Sequence, residues 1–144
     1  MKKFLKITVI LLGLAFIGIQ LKPVDRTNPP VDADLDFDGP EEVRAILQAK
    51  CYDCHSNQSD WPWYSYVAPI SWWIAHHVEE GRREVNYSEW GKYSERRKEE
   101  KIEETYDEIL DDLMPIKSYR ITHPDSKVTE EEFIIIEKWL DGEL

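Results

Sequence analysis

Basic residues are scarce in this chain. Lys and Arg together number 18 against 29 Asp and Glu, and three of the lysines (Lys2, Lys3, Lys6) fall in the first 21 residues, so the remainder is strongly acidic. That balance excludes a nucleic-acid binder, because the field around the chain repels a phosphate backbone. No stretch alternates apolar and polar residues as a half-buried strand does, and no internal repeat is present, so the class is all-α. Apolar residues make up 42% of the whole, but an N-terminal run takes a large share of them and leaves a thin core for the rest. Cysteines number only two. A zinc site of four protein ligands would therefore need two histidines at suitable spacing from elsewhere in the chain.

What the chain does hold is unevenly distributed. Of six Trp and seven Tyr, five of each lie between Tyr52 and Tyr93, and such a concentration of rings is expected to wrap around something. The N-terminus is basic and then apolar: Ile7 to Leu21 is an uninterrupted run between Lys6 and Lys22. As a helix at about 1.5 Å per residue this run is shorter than the ~30 Å hydrocarbon core, unless Phe4, Leu5 and a snorkelling Lys6 extend it. Residues 1–21 therefore read as a signal anchor or a signal peptide. The absence of a small-x-small site after the run favours the uncleaved anchor. Positive-inside bias places the remainder outside the cytoplasm: at the membrane facing the periplasm or exterior, or soluble in the periplasm if the signal is cleaved.

Residues 22–38 contain three prolines and five aspartates without apolar periodicity. They are expected to form an extended linker that lifts a folded domain, residues 39–144, clear of the bilayer. Within that domain the first helix is predicted from Asp38-Gly39-Pro40-Glu41 to Cys51, with Val43, Ile46 and Leu47 on one face. A second helix runs from about Pro69 to Arg83, with Gly81 a candidate early stop. A third spans Ser94 to Leu113, with Ile102, Tyr106, Ile109, Leu110 and Leu113 as its apolar stripe and Ser94 to Glu104 as a solvated charged face. The fourth opens at the Thr129-Glu130-Glu131-Glu132 capping box and presents Phe133, Ile136 and Leu140.

The chemistry is concentrated in Cys51-Tyr52-Asp53-Cys54-His55. Two thiols on one helical turn can form thioethers with the two vinyl groups of a haem, and the histidine that follows is then held under the iron as proximal ligand. A zinc site, a thioredoxin-type dithiol and an exported disulfide are the alternatives. The dithiol lacks a preceding strand, and the disulfide would close too small a loop to stabilise much.

These residues and their surroundings resemble the c-type cytochromes and, more closely, a bacterial family called the haem-binding domain. The resemblance extends from about Asp38 to Leu144 through CYDCHSNQSDWPWYSYVAPISWW, AHHVEEGRREVNYSEW and MPIKSYRITHPDSKVTEEEFIIIEKWL. It implies a small helical cytochrome c-like fold with one covalent haem c, Cys51 and Cys54 attaching it and His55 binding iron. One departure stands out: residues 39–50 lack the glycine and aromatic pair by which the first helix of many cytochromes c packs on the last. Here the contact must rely on Val43, Ile46 and Leu47 against Phe133, Ile136 and Trp139.

Four residues compete for the sixth iron position. Met114 is the only methionine after the initiator and follows a helix just before Pro115, the order used by His/Met cytochromes. His76 and His77 are adjacent on a helix, about 100° apart, so at most one faces a bound group. His123 reads as a loop residue within reach of a propionate. Tyr119 is expected to turn its hydroxyl toward a propionate, and Arg82 and Arg83 are propionate candidates or solvated ion-pair formers. Trp61, Trp63, Trp72 and Trp73 are expected to pack the haem edge. The function expected is electron transfer with a redox partner protein. A haem enzyme or a gas or redox sensor with an open sixth site, and a haem-bearing interaction module of a membrane complex, are the alternatives.

Overall fold

Acidic residues at a helix start and a side chain that satisfies its free amides decide where the last helix begins. Thr129 Oγ1 accepts from the Glu132 amide at 3.2 Å, and the Glu132 carboxylate accepts from the Thr129 amide at 2.8 Å, the reciprocal pair of a capping box. In the computed structural model, which describes residues 1–144, this helix is the seventh, and all the regular structure is helical. Its elements are α1 (Lys2–Gln20), α2 (Glu41–Lys50), α3 (Tyr52–His55), α4 (Ile70–Glu84), α5 (Glu95–Leu110), α6 (Lys117–Thr122) and α7 (Glu130–Leu140). Short 3-10 turns at Trp63–Tyr66, Tyr87–Lys92 and Pro124–Ser126 connect them.

α2 packs on α7 with the residues its periodicity selects. Val43, Ile46 and Leu47 join Ile136 and Trp139 in one buried cluster. Phe133 instead leaves the core and stacks on Tyr106 of α5, centroids 5.0 Å apart. α5 stops at Leu110, short of the expected Leu113, because the amides of Leu113 and Met114 both turn back to the Glu108 carbonyl at 3.0 Å. Asp112 takes a left-handed conformation there (φ 56°), which an Asp tolerates better than a branched residue does. Leu110 and Leu113 consequently point to solvent. Gly81 does not end α4, which continues to Glu84.

Residues 22–38 are not a free linker. Phe37 is fully buried at the centre of the core, its ring 5.3 Å from Trp90 and 5.5 Å, edge to face, from Trp139. Leu35 O accepts from the Gly91 amide at 2.8 Å, Ser59 O accepts from Asn28 at 2.9 Å, and Arg44 donates to Phe37 O. Prolines hold much of the stretch extended, and it exchanges hydrogen bonds with the globular part in both directions, Asn28 donating while Leu35 O and Phe37 O accept. This strap adds the one large ring that the thin core needed. Phe37→Ala should lower the unfolding free energy by about 3–5 kcal/mol, the usual loss for a buried phenylalanine, as measured by urea titration.

Candidate functional site

The Cys51 to His55 segment winds as a single turn, with the Cys54 and His55 amides both donating to Cys51 O at 3.1 and 2.9 Å. This places both sulfurs along one side of the turn. They are free thiols, and burial pushes them up to about 12 for Cys51 and about 11 for Cys54, so both are protonated at neutral pH. Neither a disulfide nor a thiolate pair is formed. No group of three or more His, Cys, Asp or Glu converges as a metal cage, which leaves the zinc alternative without its remaining ligands.

His55 is held from behind. Its Nδ1 lies 2.9 Å from Gly81 O and 3.2 Å from Val85 O. Both are acceptors only, so Nδ1 carries the proton and Nε2 keeps its lone pair. Burial lowers the pKa of the ring below its ordinary value and maintains the neutral form. This is the arrangement in which a histidine ligates a metal through one nitrogen while the other fixes its orientation. It depends on a close approach: a Cβ at Gly81 would stand 2.7 Å from Cys54 O, so only glycine lets α4 come this near α3.

His55 opens onto a cavity of about 490 Å³ whose lining also includes Cys51, Cys54, Tyr87 and Met114, a volume suited to an organic cofactor. Its lining is drawn from α3, α4 and the turn after it, α5, the following loop and α6. A family model described as the haem-binding domain matches residues 14–142. The chain belongs to that family. Neither a curated protein nor a solved structure shows significant similarity to it. The cavity fits a haem in the chemistry of its donors: an imidazole with a free Nε2, two protonated thiols on one turn and a thioether.

The remaining candidates sort as follows. Met114 lines the haem cavity, in a loop braced by Arg120, whose guanidinium bonds the Asp112 carboxylate and carbonyl. His77 also lines it, with Nδ1 2.8 Å from Trp73 O, whereas His76 turns out to pair with Glu80 at 3.3 Å. One of the adjacent pair faces in, as the helical offset requires. His123 does not reach the cavity: it stacks behind Tyr119, centroids 4.1 Å apart. Tyr119 lines the cavity, but its hydroxyl is committed to the Asp53 carboxylate. Arg82 is neither a lining residue nor a solvated one. It donates to Ser56 O, Thr27 O, Asn28 Oδ1 and Ser59 Oγ, tying the strap to the turn after His55. Arg83 is the exposed ion-pair former, with Glu80.

Two expectations about side-chain placement are corrected. Trp61, Trp63, Trp72 and Trp73 do not line the cavity; the phenol rings that do are Tyr119 and Tyr87, the latter stacked on Tyr52 and set edge-on to His55. The charged face of α5 is not wholly solvated either. Lys101 is 2% exposed, lines the cavity and pairs with Glu104. Its place one turn before Thr105 and two before Ile109 puts it on the inner stripe, a signal that the surrounding charge concealed. Gly81→Ala should cost about 1–3 kcal/mol by overpacking α4 on α3. It should also loosen the His55 contact, seen as a lower Tm together with a perturbed haem Soret band.

Proposed function

We propose that the chain is a monohaem c-type cytochrome, exported and membrane-tethered, that transfers electrons without binding a substrate. The observation that carries this reading is His55 with Nδ1 held by two carbonyls, one residue after the second of two free thiols on its own turn. Bound haem supplies one-electron chemistry between ferrous and ferric iron, tuned by its axial ligands and burial. Cys51 and Cys54 are the thiols that form the thioethers, and His55 Nε2 is the proximal ligand.

Met114 is the distal ligand. His77 lies one turn before Gly81 on α4, the helix that also orients His55, whereas Met114 comes from the separate loop after α5. Met114 would bring a neutral, soft sulfur that favours ferrous iron and raises the potential relative to a second imidazole. The acidic excess steers a basic redox partner protein toward the domain. Lys2, Lys3 and Lys6 in the first turns of α1 orient the haem domain to the outside, where covalent attachment takes place.

Expressed with a cytochrome maturation system, the protein should keep its haem through acid-acetone extraction, and Cys51→Ala or Cys54→Ala should abolish most of the covalent product. Haem released by the solvent would refute covalent attachment while leaving haem binding intact. Met114→Ala should remove the near-infrared sulfur-to-iron band of the ferric protein, lower the midpoint potential and open the iron to CO, and His77→Ala should do none of these. A wild type that lacks the band and binds CO readily would favour the open-site enzyme or sensor, with His77 as the group facing the bound gas.

A further inference from the structure

The end of α1 is fastened to the haem domain. Gln20, its last residue, donates from Nε2 to Ala68 O at 3.1 Å and accepts at Oε1 from the Ala68 amide at 2.9 Å. The side-chain amide thus satisfies both polar groups of a buried residue, as a neighbouring strand would. Beside this clamp, Lys22 Nζ lies 5.0 Å from the Trp72 ring centroid, and the Arg26 guanidinium 4.3 Å from that of Tyr66. Arg26 also donates to Ser65 O at 3.3 Å. No slack chain separates the helix from the segment around Ala68.

On either side of Ala68, large apolar side chains face outward. Trp63 is 79% exposed, Tyr66 59%, Ile70 49% and Trp73 43%. Single exposed rings need no explanation, but four large apolar side chains exposed within eleven residues, on the segment that receives the end of an apolar helix with no buried residue, are a concentration that does. α1 has 19 residues, roughly 28 Å at the helical rise, close to the hydrocarbon thickness. Gln20 then falls at the level where chain interior gives way to headgroups. Trp and Tyr favour that level because each has an apolar body and a polar edge, and Lys22 and Arg26 suit anionic headgroups.

We propose that Trp63, Tyr66, Ile70 and Trp73 lie in the outer interfacial layer of the bilayer, so that the haem domain rests on the membrane rather than standing off it. The inference rests on α1 remaining as the membrane anchor. It replaces the expectation of a domain lifted clear by residues 22–38. It also gives the outward-facing tryptophans the burial they lack in the domain.

The test uses the full-length holoprotein in vesicles of phosphatidylethanolamine and phosphatidylglycerol containing a trace of lipid with a diazirine near the headgroup. After photolysis, labelled peptides are located by mass spectrometry. Label is expected in both 2–21 and 63–73, and Trp63→Glu, at an exposed position that leaves folding and the haem spectrum unchanged, should reduce the 63–73 label severalfold with 2–21 unaffected. Label in 2–21 alone would overturn the proposal and leave the anchor standing, whether the domain stands free or a protein covers that face. Protein recovered unlabelled in the supernatant would overturn the anchor and the proposal with it.

Discussion

The pair of carbonyls behind His55 governs this structure. A histidine that must keep one nitrogen free needs its other nitrogen occupied, and Gly81 in the last turns of α4 and Val85 just after it perform that task. For those carbonyls to arrive within hydrogen-bond distance, α4 must press on the backbone of α3, which requires glycine at position 81. The same register sends Arg82 to Ser56 O and to the strap, and His77, one turn earlier, to the cavity. Ligand orientation, helix contact and strap attachment are thus settled by one helix in one position.

Local patterns were readable in the residues, and long-range ones were not. The Cys51 to His55 turn, the capping box at Thr129 and the inner face of α2 follow from spacing alone, because their partners lie within four residues or on a single stripe, whereas of the α7 stripe Phe133, Ile136 and Leu140 only Ile136 is in the core and Leu140 is exposed. Phe37 lacked any such signal: it sits among prolines and aspartates, and its burial depends on Trp90 and Trp139, far along the chain. Lys101 was hidden by composition, since a helix rich in Glu, Lys and Arg reads as solvated wherever its stripe points. Trp63 and Trp73 erred in the opposite sense. Ring-rich sequence announces apolar area, but whether protein or another phase covers that area depends on neighbours that no local window contains.

Charge around the cavity is lopsided. Asp53, Glu80, Glu84, Glu104 and Glu108 border it against Lys50 and Lys101, and Lys50 is also engaged with Glu132 at 3.5 Å. Such surroundings favour whichever state of a bound group carries more positive charge. Lys101 moderates the imbalance from a buried position where its interactions are little screened.

Arg82 has a consequence for how this protein is processed. By bonding Thr27 O and Asn28 Oδ1 as well as Ser56 O and Ser59 Oγ, it makes residues from Thr27 onward part of the fold. A protease that sheds the domain and spares the bonds to Arg82 therefore has only the few residues between Leu21 and Arg26 in which to cut, at the expense of the Gln20 and Lys22 contacts. Cleavage there releases the domain with its strap intact, whereas cleavage beyond Phe37 takes away a central core side chain. The boundary between anchor and domain is accordingly much narrower than the proline-rich composition of the segment suggests.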